Sequence, residues 1–238
     1  MGRAIVVVED PAAEAAERIA AAVRRGGQIA LAGGSTPAAA YARLRAMDLA
    51  WGRTELWLGD ERCVPPDDPR SNHLMVTNAL LSGIPGADAP RAWHRIRGEL
   101  GPDAAAEALE AELRESFGAV DPFPVFDLIL LGIGPDAHTA SLFPHKPALR
   151  ERERWAVGVP EAGHEPLVPR VTLTLPVLDA AREVMFLIAG EGKAEAVGRA
   201  FGDRSPGPDA PAGMVGPRGG TLTVLLDPPA ARLLDGSG

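Results

Sequence analysis

One loop of the 238-residue chain gathers more reactive chemistry than any other stretch. Asp136, His138, Thr139 and Ser141 crowd together directly after Gly132, Gly134 and Pro135. The glycines and the proline allow a sharp turn and close backbone approach. Ahead of them, Val125 to Leu131 is a short apolar run with no charge after Asp127. Such a run, bounded by glycine, predicts a strand buried on both faces of a sheet. Ligands of open α/β sheets bind in the crevice at the carboxyl ends of the strands, so a histidine in the following loop is placed to meet one. Histidine, with an ordinary pKa of about 6.5, can take up and return a proton near neutrality. Asp136 is positioned to orient this loop or the His138 ring.

A second group of residues is suited to holding an anion. The strand Gln28–Ala32 runs into Gly33-Gly34-Ser35-Thr36-Pro37, and a helix is expected with Pro37 at its first position. Strand, glycine pair, hydroxyls and helix start together make a phosphate cradle, in which free N–H groups and the positive helix end face the anion. Gly34, Ser35 and Thr36 are the candidates, although Ser35 or Thr36 could equally cap the helix. A further strand, Glu55–Gly59, leads into Asp60-Glu61-Arg62. The planar donor fork of Arg62 suits a phosphate or a developing oxyanion; the alternative is an ion pair with Asp60. Glu61 is expected to accept backbone hydrogen bonds. Arg170 stands at the mouth of the strand Arg170–Pro176, and Lys193, one of only two lysines, follows Gly190-Glu191-Gly192 one turn into an expected helix. Either could reach an anion, the lysine as a point charge.

What is absent narrows the chemistry. There is no Gly-x-Ser-x-Gly nucleophile elbow. No His/Cys/carboxylate spacing typical of zinc occurs, and Cys63 is the only cysteine. A reaction that needs neither a nucleophilic side chain nor a metal is favoured, and opening of an activated ester such as a sugar lactone meets that description.

The run Gly-Ile-Gly-Pro-Asp-Ala-His-Thr-Ala-Ser-Leu-Phe-Pro at 132–144 resembles the signature segment of the 6-phosphogluconolactonases. One departure is Ala137, where that family usually has Gly. Asp60-Glu61-Arg62 followed by Val64-Pro65-Pro66 and Ser71-Asn72, and the strand from Arg170, are similar to the same family. The Gly33–Pro37 cradle is similar to both the lactonases and the glucosamine-6-phosphate deaminases. In motif terms the resemblance runs from Gly33 to Lys193. It implies hydrolysis of 6-phospho-D-glucono-1,5-lactone to 6-phospho-D-gluconate, the second step of the oxidative pentose phosphate pathway, without cofactor or covalent intermediate. His138 would be the general base, Arg62 or the backbone of the 132–137 turn the oxyanion partner, and Gly34, Ser35, Thr36, Arg170 and Lys193 the phosphate site. Two alternatives stay open. One is a deaminase-type isomerase, although those enzymes typically show Asp-Glu-Tyr at residues 60–62 and a Glu before the final Pro at 144. The other is a catalytically silent sugar-phosphate sensor.

These residues need a frame, and the pattern supplies one. Strands expected at 5–8, 28–32, 55–59, 93–96, 125–131, 155–159, 170–176, 184–189 and 222–226 alternate with helices, the clearest at 102–117 with Leu109, Leu113 and Phe117 on one face. Alternation of this kind predicts an α/β fold: a mostly parallel, Rossmann-like sheet with helices on both faces. The resemblance adds the fold shared by glucosamine-6-phosphate deaminases and ribose-5-phosphate isomerases. No repeat or linker divides the chain, so residues 1–238 read as one domain. Val171, Leu173 and Leu175 alternate with Thr172 and Thr174, which predicts a strand with one buried face. Residues 202–220, rich in Pro and Gly, read as an irregular loop.

Hydrophobic residues make up 46% of the chain, enough for a packed core, and the net charge is −8. That balance argues against nucleic-acid binding, which rewards clustered Lys and Arg. No apolar run approaches the ~18 residues of a membrane span, and no secretory signal is legible. The expectation is a cytoplasmic protein, monomer or weak homodimer, whose partner is a small sugar phosphate lactone.

Overall fold

The computed structural model describes residues 3–86, 89–118, 120, 122–202 and 207–234. Ten strands and eight α-helices follow one another along these residues. The first part carries β1 (Arg3–Val7), α1 (Pro11–Arg25), β2 (Gly27–Leu31), α2 (Ser35–Leu44), β3 (Thr54–Leu58), β4 (Asp60–Arg62), α3 (Asn72–Ala79), β5 (Ala92–His94) and α4 (Pro102–Phe117). The second carries β6 (Leu128–Leu131), β7 (Ala156–Val159), β8 (Arg170–Leu173), α5 (Leu175–Ala180), β9 (Glu183–Ile188), α6 (Ala194–Phe201), α7 (Pro211–Met214), β10 (Thr221–Leu226) and α8 (Pro228–Ala231).

Seven strands form one sheet in the order β1-β10-β9-β6-β2-β3-β5, with every neighbouring pair parallel. All residues of β3 and β6 are buried, so the centre of the sheet is covered on both faces. This is the arrangement the uninterrupted apolar runs predict. The chain leaves β2 toward β3 and β5 on one side, then returns with β6 on the other and continues to β9 and β10. The connections therefore diverge at β2 and β6, which leaves a crevice beyond their carboxyl ends.

Helix boundaries follow local chemistry. Asp10 caps α1 by accepting from the Ala13 N–H at 3.0 Å, with Pro11 at the first helical position. Ala15, Ile19, Ala20 and Val23 then turn inward. The α2 helix starts two residues before the expected Pro37: Gly34 is its N-cap and neither Ser35 nor Thr36 makes a capping bond.

A second sheet, absent from the sequence reading, consists of three antiparallel strands in the order β4-β8-β7. It corrects two expectations. Asp60-Glu61-Arg62 does not simply trail off β3 but forms β4, paired with β8. Thr172 and Thr174 are as buried as their apolar neighbours, because α4 packs on β7 and β8 and the His138 loop reaches β8. Their hydroxyls are satisfied internally: Thr172 donates to the Leu173 carbonyl at 3.0 Å and Thr174 to that of Arg154 at 2.7 Å. Leu175 starts α5 instead of continuing the strand. The 202–220 segment likewise contains the short helix α7, while residues 203–206 lie outside the described residues.

Candidate active site

A cleft of about 210 Å³ opens at the carboxyl ends of β2 and β6. Its walls bring together Gly33 and Gly34, Asp60 and Arg62, the Gly132–Pro135 turn with His138, and Arg170 and Lys193. Most of the residues singled out in the sequence thus meet in one place, from elements far apart in the chain.

His138 is held by its own loop. Its Nδ1 meets Asp136 Oδ1 at 2.5 Å, and its backbone N–H donates to the same oxygen at 3.2 Å. A carboxylate only accepts, so the proton sits on Nδ1 and Nε2 is left for the cleft; no described residue bonds Nε2. Burial alone would raise the Asp136 carboxyl, but the hydrogen bond and charge of His138 outweigh it and hold it below the ordinary value. Asp136 does not itself line the cleft; it acts on the ring behind it. Gly134 lies so close to the imidazole that a Cβ there would overlap His138 Cε1 and Nδ1. Ala137 adopts φ 65°, the left-handed region, and is fully buried.

The other polar groups of this loop are committed to structure. Thr139 donates to the Gly132 carbonyl at 2.9 Å, and Ser141 to Asp60 Oδ2 at 2.6 Å. Asp60 also accepts from the Asn72 side chain, at 3.3 Å through Oδ1. Its oxygens thus serve neutral donors, and among the described residues Arg62 forms no ion pair with it or with any other carboxylate. Cys63, next along, has its thiol pushed up to about 11, chiefly by burial and then by Glu61. It stays protonated at neutral pH.

Arg62 and Arg170 are register partners across β4 and β8. One Nη of Arg62 donates to the Arg70 carbonyl at 2.6 Å, and one Nη of Arg170 to the carbonyls of His164 and Pro166 at 3.1 and 3.0 Å. The Nε of each is buried without a partner. Burial lowers the Arg170 guanidinium from its ordinary value, with Asp60 opposing and Arg62 reinforcing the shift. Among the described residues the two neighbouring guanidiniums have unused donors and no carboxylate partner, a chemistry suited to an anion.

Lys193 ends a short turn immediately before α6, not one turn inside a helix, and its Nζ donates to the Ile133 carbonyl at 2.7 Å. Burial lowers its ammonium, offset in part by Asp136. On the opposite wall, Gly34 lines the cleft while Ser35 and Thr36 do not. As the first residues of α2, Ser35 and Thr36 keep backbone N–H groups that no described acceptor takes up.

Asn72, His164 and Glu165 also line the cleft. The Asn72 carboxamide packs where a Cβ on Gly33 would stand, so glycine there admits it. Asn72 belongs to the family-like Ser71-Asn72 pair but is given no role in it, and nothing local marks His164 and Glu165, since the wall is assembled from α3 and the segment before β8. His94, by contrast, is a packed residue away from the cleft. It stacks on Trp57 at 3.6 Å, with Glu112 and Glu55 on its two nitrogens.

No cluster of three or more His, Cys, Asp or Glu able to hold a metal occurs among the described residues. No described helix is long and apolar enough to cross a membrane.

The Gly33–Gly34 turn, the paired guanidiniums and the carboxylate-held histidine meet at the switch point of an open parallel α/β sheet. The chain belongs to the glucosamine-6-phosphate isomerases/6-phosphogluconolactonase family, whose model matches residues 4–224. It is 40% identical over 218 residues to the 6-phosphogluconolactonase of Synechocystis sp., covering 90% of this chain and 88% of that one. The structure of 6-phosphogluconolactonase from Trypanosoma cruzi superposes with a TM-score of 0.84 at 30% identity, covering 98% and 97% of the two chains. A monomeric glucosamine-6-phosphate deaminase shares the fold, with a TM-score of 0.80 at 23% identity and coverage of 98% and 100%.

Proposed function

We propose that this protein is a cytoplasmic 6-phosphogluconolactonase, active as a monomer or weak homodimer, that hydrolyses 6-phospho-D-glucono-1,5-lactone to 6-phospho-D-gluconate. The observation that carries this reading is the His138–Asp136 pair, with Nε2 free beside two arginines that have no carboxylate partner. In the proposed reaction water is the nucleophile. His138 Nε2 removes its proton as it attacks the lactone carbonyl, and Asp136 stabilises the imidazolium that forms. Arg62, or N–H groups of the 132–137 turn, meets the oxyanion. The phosphate lies against Gly34 and the free N–H groups of Ser35 and Thr36, with Lys193 and Arg170 supplying charge. As the C1–O5 bond breaks, the ring oxygen takes up a proton and the product leaves as the hydroxy acid.

Water as nucleophile, with no acyl-enzyme, is supported by the state of the alternatives. Ser141 and Thr139 are hydrogen-bonded into the loop and Cys63 is a protonated thiol. The test is disappearance of lactone generated in situ, followed with the wild type, with His138→Ala and without protein, because the lactone also opens spontaneously. The expected result is clear acceleration by the wild type, unaffected by a chelator and reduced at least about a hundredfold in the variant. Acceleration that survives in His138→Ala removes this histidine as the base. No acceleration by the wild type removes the lactonase reading itself.

A further inference from the structure

His164 is the one histidine of the cleft to which the mechanism above gives no part. It sits in the strap that precedes β8, and its ring centroid lies 5.8 Å from that of His138, tilted by 42°. Both rings line the same cleft. They are also held alike. The His164 Nδ1 lies 3.0 Å from the Glu165 carbonyl, which only accepts, so Nδ1 carries a proton and Nε2 is the variable position. No described residue bonds that Nε2. The strap is fixed from below, where Arg170 donates to the carbonyls of His164 and Pro166. It is fixed from the side by Gly163, which packs against Phe143, the ring that also contacts His138. The side chain of Glu165 turns back on the strap to accept from the Leu167 N–H at 3.0 Å, so His164 has no carboxylate partner.

We propose that His164 is the catalytic acid of this site: its protonated Nε2 donates to the lactone ring oxygen as that oxygen leaves. The inference rests on the lactonase reading. One imidazole serves the attacking water and its neighbour serves the departing oxygen, across a gap that suits the two ends of a single breaking ester. In balance, the water oxygen bonds C1 and gives a proton to His138 Nε2, while C1–O5 breaks and O5 takes the proton of His164 Nε2. The cycle closes when His138 returns its proton to His164 through solvent in the cleft. The titratable and charged groups that share the cleft with His164 are His138 from the loop after β6, Asp60 and Arg62 from β4, Arg170 from β8, Glu165 of its own strap and Lys193 before α6, with Asp136 behind the His138 ring. Among them only the two histidines ordinarily change charge near neutrality.

The division of labour predicts a bell-shaped dependence of kcat/KM on pH. A base that must be neutral and an acid that must be charged give an acid and an alkaline limb respectively. His164→Gln keeps a hydrogen-bond donor but cannot titrate. It is expected to lose kcat about a hundredfold with little change in KM and to lose the alkaline limb. In His164→Ala, added imidazole is expected to restore part of the rate, which it cannot do for a misfolded strap. A His164→Gln enzyme with wild-type kcat and both limbs, a defect confined to KM, or absence of imidazole rescue overturns the assignment. The lactonase reading survives any of these as long as the wild type accelerates hydrolysis, and a wild type that does not fails first and separately.

Discussion

Ala137 sits in a backbone conformation that a side chain resists, at φ 65° in the middle of the turn that carries His138. Left-handed backbone places a Cβ against the following carbonyl, at a cost of about 1–2 kcal/mol that glycine escapes. Ala137→Gly is therefore expected to stabilise the fold by about 1 kcal/mol, part of the gain being lost to the freer unfolded chain. For a chain of this length that is a rise in Tm of roughly 2–4 °C, measurable by calorimetry. The departure from the usual glycine was visible in the sequence; the left-handed angle was not, and the structure supplies it. The Asp136–His138 contact was legible, since both partners belong to one short turn. His164 was not, because its neighbour in space is remote in the chain and no motif announces it.

The join between β4 and α3 depends on one carboxylate. Glu61 accepts from the N–H groups of Arg62, Asn72 and His73 at 2.6, 2.7 and 2.7 Å and from the Ser71 hydroxyl at 3.0 Å, in an almost fully buried position. It closes the 63–70 loop, fixes the start of α3 and sets the backbone that presents Arg62. Glu61→Ala strands three backbone donors in the interior and is expected to lower the unfolding free energy by about 3 kcal/mol or more. Urea denaturation measures this, and Glu61→Gln, which keeps one acceptor oxygen, should fall between. A backbone-accepting role for Glu61 was anticipated from its place at a strand end. The pairing of β4 with β8 was not, although it is what sets Arg62 beside Arg170. Each strand is only three or four residues long, and its partner is set by tertiary packing, which periodicity does not report. The parallel sheet was legible because its central strands, buried on both faces, are written as apolar runs; the small sheet hides its threonines inside, where alternation points the wrong way.

Across the protein, charge is unevenly spent: the net value is −8, yet Arg62, Arg170 and Lys193 converge on one cleft. A net-acidic chain with three cations, two carboxylates and two histidines in one recess is expected to favour a small anion over a polyanion. Lys193 makes this recess pH-sensitive. Its ammonium is held below the ordinary lysine value of about 10.4, by burial first and despite Asp136. On the proposed function the charged form attracts the substrate phosphate, so affinity is expected to be present at neutral pH and lost as pH rises through the lowered value. Calorimetric titration with 6-phosphogluconate should show Kd rising at a lower pH than an ordinary lysine would give, by about tenfold if the ammonium contributes about 1.4 kcal/mol. Lys193→Arg should flatten that rise, and Lys193→Met should weaken binding throughout. The order of the strands carries one more consequence, for synthesis. The edge strand β1 pairs only with β10, which lies roughly 220 residues later. On the ribosome β1 emerges before the other nine strands described and waits for the last of them, while β9 too lacks its outer neighbour until β10 appears. A nascent chain stalled before Thr221 therefore presents two open strand edges at once, and it is at that late point in translation that a holding chaperone has most to protect.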